Sequence, residues 1–105
     1  IKTYIGGGTQ WQSVKTSNYT ASAGQGVFMN TTSGALTLTL PASPSIGDEV
    51  SFVDYAGTFD TNNLTIARNS SKIHGAEENL TVATERAANT LVFTDSTQGW
   101  LLKSK

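Results

Sequence analysis

The sequence predicts an all-β fold, a single small antiparallel β-sandwich or barrel-like domain, and three observations support this. First, leucines at Leu36, Leu38 and Leu40 alternate with Thr37 and Thr39, which is the period-two pattern of a half-buried strand. Second, short alternating runs recur at intervals of roughly ten residues, as they do in sandwiches and barrels. Third, only 14% of the residues are charged, and the Thr and Ser that replace them suit pleated, half-exposed surfaces.

The alternating runs give nine predicted strands. Turn-forming Gly, Asn, Asp and Ser separate them, and Pro41 ends the fourth because proline cannot donate a hydrogen bond to a neighbouring strand. In chain order the predicted strands are Trp11–Lys15, Tyr19–Ser22, Val27–Thr31, Ala35–Leu40, Glu49–Asp54, Asn63–Arg68, Leu80–Thr84, Thr90–Thr94 and Gly99–Lys103.

The alternation also predicts which side chains face the core. Residues 83–89 are the one helix-tolerant segment, but they are too few to nucleate a helix, so we expect a turn between two strands. The predicted inward-facing residues are Leu36, Leu38, Leu40, Val50, Phe52, Leu64, Ile66, Ile73, Leu80, Val82, Leu91, Phe93, Trp100 and Leu102.

The chain of 105 residues is long enough for one modest core. We expect a glycine-rich lead-in or linker at residues 1–10, which contains Gly6–Gly8, followed by a β module at residues 11–105. Because the sequence starts at Ile1 and not at Met, we expect it to be a piece of a longer polypeptide.

Composition argues against several classes of function. The net charge is −1 and the basic residues are scattered, so we expect no nucleic-acid binding. There is no cysteine for a disulfide or a thiolate metal site, and no apolar run approaches the roughly 18 residues that cross a membrane. No phosphate-binding glycine motif, catalytic triad or zinc signature is present, and we expect no cofactor.

The acidic residues and the single histidine are the candidates for catalysis or metal binding. His74 has no second ligand or orienting acid at a known spacing, which favours an ordinary turn histidine. The segment from Asp60 to Asn63 lacks the closing glutamate of a calcium loop. Asp48 suits a turn, and Asp54 at a strand end can accept backbone N–H bonds and fix the turn that leads to Gly57.

Two surface readings stay open at this point. Five Asn-X-Ser/Thr sequons start at Asn18, Asn30, Asn63, Asn69 and Asn79. They indicate either glycosylation or Asn-containing turns that enter Thr-rich strands, and the second interpretation is favoured. Four aromatic residues are candidates for stacking on sugar rings, although packing inside the domain is the commoner role: they are Trp11, Tyr19, Tyr55 and Phe59.

Short strands with few large apolar residues bury little surface, and open sheet edges invite pairing. We therefore expect the domain to associate with copies of itself.

The order of these features resembles a small β module of bacteriophage virion proteins, especially tail fibres and related appendage or head-fibre proteins. The resemblance runs from Trp11 to Leu102 and rests on loosely defined positions. They are Leu40-Pro41, Gly47-Asp48, Asp54 to Gly57, Asn62-Asn63-Leu64-Thr65, Ile73-His74-Gly75 and Gly99-Trp100.

The resemblance implies a non-enzymatic structural module located in the virion. It implies a homotrimer that contributes to assembly and attachment, with the chain itself and other virion proteins as partners. An alternative is a receptor-binding module that recognises host surface glycan. A glycan-cleaving enzyme is a third class, but the sequence offers it no credible carboxylate pair.

Overall fold

The computed structural model describes residues 8–103, which form nine β-strands and no helix, so this part of the chain has no helix able to span a membrane. Each of the nine strands overlaps the strand predicted at its position. They are β1 (Gln10–Trp11), β2 (Tyr19–Thr20), β3 (Gln25–Met29), β4 (Leu36–Thr39), β5 (Glu49–Asp54), β6 (Leu64–Ala67), β7 (Leu80–Val82), β8 (Ala88–Phe93) and β9 (Trp100–Leu102).

The strands form two sheets between which the chain alternates. A five-stranded sheet has the order β1-β3-β5-β8-β9, and a four-stranded sheet has the order β2-β4-β6-β7. From β1 to β6 successive strands lie in opposite sheets, and each strand from β3 to β6 pairs in parallel with the strand two positions earlier. The chain therefore winds as a short solenoid of three coils.

The direction of the chain reverses after the third coil. β7 pairs antiparallel with β6, while β8 pairs antiparallel with β5 and with β9. The all-β prediction is confirmed, but the predicted antiparallel arrangement is wrong, because both sheets are mixed. Alternation along one strand is the same in both kinds of ladder, so it carries no information on pairing direction. The crossing connections, such as residues 55–63, carry the chain to the other sheet and do not fold back as hairpins.

Both sheets contribute to one hydrophobic core. Val27 and Val50 of the five-stranded sheet and Leu38 and Ile66 of the four-stranded sheet are fully buried in the same cluster. All the residues predicted to face inward are buried in this core or packed against it. The prediction missed Val27 and Met29, because three apolar residues in succession at 27–29 hide the alternation.

The outer edge of β9 is covered by the segment around His74. The backbone N–H of Trp100 donates to the carbonyl of Lys72 (2.8 Å), and the N–H of His74 donates to the carbonyl of Trp100 (2.9 Å). A side chain at residue 99 has no room here, because a Cβ added to Gly99 would lie 1.9 Å from the Lys72 carbonyl oxygen. Gly99 also has a φ of 75°, a left-handed conformation that favours glycine.

The sequence also predicted two segments outside the strands: a turn at residues 83–89 and a lead-in at residues 1–10. The turn predicted at residues 83–89 is confirmed for residues 83–87, whereas Ala88 and Asn89 already belong to β8. The predicted lead-in falls largely on residues 1–7, which lie outside the described residues, and Gln10 at its end already belongs to β1.

Candidate functional site

The Asp54 carboxylate holds together three parts of the chain. It lies at the end of β5 and is 1% exposed. Its Oδ1 accepts the backbone N–H groups of Gly57 (3.0 Å) and Thr58 (3.1 Å). Its Oδ2 accepts those of Phe59 (3.0 Å) and Arg86 (2.9 Å). The predicted turn-fixing role of Asp54 is confirmed, and the bond to Arg86 also ties this turn to the β7–β8 connection.

The four N–H donors stabilise the ionised form of Asp54. Burial alone would raise the pKa of this carboxyl, but the donors of Phe59, Arg86, Thr58 and Gly57 favour the ionised form and hold the pKa below its ordinary value of 3.8. A carboxylate held ionised and occupied on both oxygens is poorly suited to exchange protons with a substrate. Asp54 is therefore a positioning group for the backbone.

The other candidates for chemistry also serve turns. Asp48 accepts the backbone N–H of Ser45 at Oδ2 (2.8 Å) and donates its own N–H to the Ser45 carbonyl (3.0 Å), which confirms its predicted turn role. His74 has a φ of 52° in a turn, and its Nε2 accepts the N–H of Leu102 (3.3 Å). Within residues 8–103 no group of three or more acidic or histidine side chains could hold a metal ion.

Asparagine side chains of the sequons join neighbouring coils. Asn18 Oδ1 accepts the backbone N–H of Thr37 in the next coil (2.8 Å), and Asn69 Nδ2 donates to the carbonyl of Leu40 in the previous coil (2.9 Å). Asn79 Oδ1 accepts the N–H of Arg68 (3.0 Å). These contacts support the reading of the sequons as Asn-containing turns.

The four candidate aromatic residues have different environments. Phe59 is 0% exposed, so its proposed contact with a sugar is wrong. Tyr19 is anchored, because its hydroxyl donates to Oε1 of Gln25 (2.9 Å). Tyr55 is 49% exposed and Trp11 is 47% exposed, which leaves these two accessible to a partner.

Trp11 begins a row of apolar side chains on the outer face of the five-stranded sheet. Its ring stacks on Phe28, with 4.8 Å between ring centroids. Phe28 is paired in register with Val53, and Val53 with Ala88. We call these four residues the aromatic row. None belongs to the core, because the inward positions of the same strands are occupied by residues such as Val27 and Phe52.

Sequence reasoning missed Phe28 and Val53 as surface residues. Both follow a buried apolar neighbour directly, so apolar character alone cannot separate the two faces of β3 and β5. The alternation of Val50 and Phe52, extended by one residue, was the signal that would have placed Val53 outward.

A polar cleft lies at the end of the five-stranded sheet where β1, β3 and β5 begin. Its volume is about 410 Å³, and the residues with polar side chains around it include Gln10, Asp48, Glu49, Ser51 and Lys103. The Lys103 ammonium and the Glu49 carboxylate form an ion pair across it (2.9 Å).

Comparison with known proteins gives no identification: no family model matches the chain, and no curated protein matches it. The resemblance to phage appendage modules therefore stays a prediction.

Proposed function

We propose that this chain is a non-enzymatic structural module of a bacteriophage virion fibre or appendage protein. In this role it contributes to homotrimer assembly and to attachment on the virion, through contacts with its own copies and with other virion proteins. The sequence resemblance suggests this role, and the distribution of the polar side chains supports it.

The main observation behind the proposal is that the side chains best suited to catalysis form hydrogen bonds with backbone groups of their own chain. Asp54 uses both oxygens on four N–H groups, Asp48 closes a turn, and His74 caps the edge strand β9. A catalytic group needs a free acceptor or donor that faces a substrate. An arrangement of this kind favours a structural role over an enzymatic one.

The test of this proposal is the molar mass of the folded chain, measured by light scattering at two protein concentrations. A homotrimer has three times the chain mass of 11.1 kDa. A chain that stays monomeric at both concentrations would contradict the assembly role.

A receptor-binding module that recognises host glycan is the second candidate, and the polar cleft next to β1 favours it. Sugar hydroxyls need a mixture of donors and acceptors, and the cleft supplies carboxylates at Asp48 and Glu49 with an ammonium at Lys103. The half-exposed Trp11 follows Gln10, which lines the cleft, and could stack on a sugar ring.

A glycan array probed with the folded chain tests the second candidate. We expect glycan binding to be lost in Glu49→Gln, which removes one of the two carboxylates of the cleft. Binding should be kept in Glu85→Gln, which changes an exposed glutamate of the β7–β8 connection. Absence of binding to every glycan, together with a stable oligomer, would favour the structural role.

A further inference from the structure

The two outer faces of the molecule differ in chemistry. The outward positions of the four-stranded sheet are occupied by small residues: Thr20, Thr37, Thr39, Thr65, Ala67 and Thr81. The outer face of the five-stranded sheet has the aromatic row, and it has Val92 paired in register with Leu101. Only the second face has large apolar side chains to remove from water, at about 25 cal/mol per Å² buried.

We infer that the outer face of the five-stranded sheet is the surface through which copies of this chain meet, an inference that rests on the proposed assembly role. The aromatic row crosses β1, β3, β5 and β8 without interruption, because Trp11 stacks on Phe28 and the remaining members are register partners. Trp11 and Ala88 are exposed and Phe28 and Val53 are half-buried, so the row presents contiguous apolar surface to solvent. Contiguous apolar surface of this kind marks contact sites when it is large.

Trp11 is already fixed in position for such a contact. Its ring lies over Gly26, where an added Cβ would be 2.5 Å from Cε3 of the ring, and it stacks on Phe28. Because neighbouring groups hold the ring while 47% of Trp11 stays exposed, association costs little further loss of side-chain freedom. Tryptophan is also enriched among the residues that dominate binding energy at interfaces.

The charges on this face favour a second copy over a charged partner. Glu49 and Lys103 form an ion pair beside Val92 and Leu101, so the pair adds no net charge to the face. Copies can therefore approach without repulsion, and in a ring the Lys103 of one copy can face the Glu49 of the next. An anionic polymer or membrane surface would require an excess of cations, which the pair does not supply.

Charged substitutions on the two outer faces test the inference. Val53→Asp places a carboxylate in the middle of the aromatic row, and Thr65→Asp places one in the middle of the opposite face as a matched control. Molar mass by light scattering is expected to fall threefold in the Val53 variant and to stay unchanged in the control. Circular dichroism shows that each variant is folded.

A second pair of variants covers the case in which Val53→Asp fails to fold. Ala88 and Thr81 are already exposed, so Ala88→Arg in the aromatic row and Thr81→Arg on the opposite face should both fold. Loss of the oligomer in Ala88→Arg alone supports the inference.

The outcomes separate the two proposals. A wild-type chain that is monomeric at every concentration would contradict both the assembly role and the choice of this face as the contact surface. A wild-type oligomer that survives Val53→Asp and Ala88→Arg, or that is lost only in the Thr65 and Thr81 variants, overturns this choice of surface and leaves the assembly role intact.

Discussion

Removing the Asp54 carboxylate should destabilise the domain severely. In Asp54→Ala all four backbone N–H donors lose their acceptor, and that of Phe59 is buried. In Asp54→Asn one amide oxygen remains, so at most one of the two donor pairs keeps its acceptor. The amide NH₂ then faces the other pair, donor against donor.

The magnitude follows from these contacts. A buried donor without a partner costs about 1–3 kcal/mol, and we assign this to Phe59. The three part-buried donors can reach water after local movement, and at about 0.5–1.5 kcal/mol each they bring the total for Asp54→Ala to about 2.5–7.5 kcal/mol. A small domain has a stability of about 5–15 kcal/mol, so this loss could unfold much of the population.

Urea denaturation followed by circular dichroism measures the effect, with Asp60→Asn as the matched control. Asp60 is an exposed acidic residue of the adjacent loop, so this control should shift the free energy of unfolding by less than about 0.5 kcal/mol. The smallest loss that we expect in Asp54→Ala is about 2.5 kcal/mol, and a loss of less than about 1 kcal/mol would refute the view that this carboxylate organises the turn.

Three further predictions use the same denaturation assay. The pKa of Asp54 is depressed in the folded state, so its contribution to stability is present above the ordinary value of 3.8 and is lost as the pH falls through the lower folded value. Stability measured against pH should therefore fall more steeply below pH 3.8 in the wild type than in Asp54→Asn, and equal slopes would contradict this. Gly99→Ala combines a left-handed φ with a backbone clash at Lys72 and should cost about 2–5 kcal/mol, whereas a neutral result would mean that residues 72–74 do not cover β9. Asn18→Ala removes the acceptor of the Thr37 N–H and should cost about 0.5–2 kcal/mol, and no change would show that this contact between coils contributes nothing.

The sequence predicted the local features of the fold well, because they depend on neighbouring residues. Alternation located the strands and the inward side chains from Leu36 to Leu102. The short-range geometry of Asp48 and Asp54 predicted their turn roles, since an aspartate can reach backbone N–H groups a few residues away.

Features that depend on distant pairing were not predictable in the same way. Strand direction depends on where each connection carries the chain, and the composition of residues 55–63 does not specify this. The outward aromatic row requires Trp11 to meet Phe28 across two strands, which only the register reveals. Phe59 was misplaced because it lies in a connection, where no alternation exists to orient it.

The strand order also determines how the module responds to tension. The first strand, β1, is outermost at one edge of the five-stranded sheet, and the last strand, β9, is outermost at the other edge. A force on the two chain ends therefore acts first on these two strands, which are held unequally. β1 is two residues long and pairs with β3, whereas β9 is hydrogen-bonded on one side to β8 and on the other to residues 72–74. We expect β1 to detach at lower force than β9, and single-molecule pulling on the isolated chain measures this order.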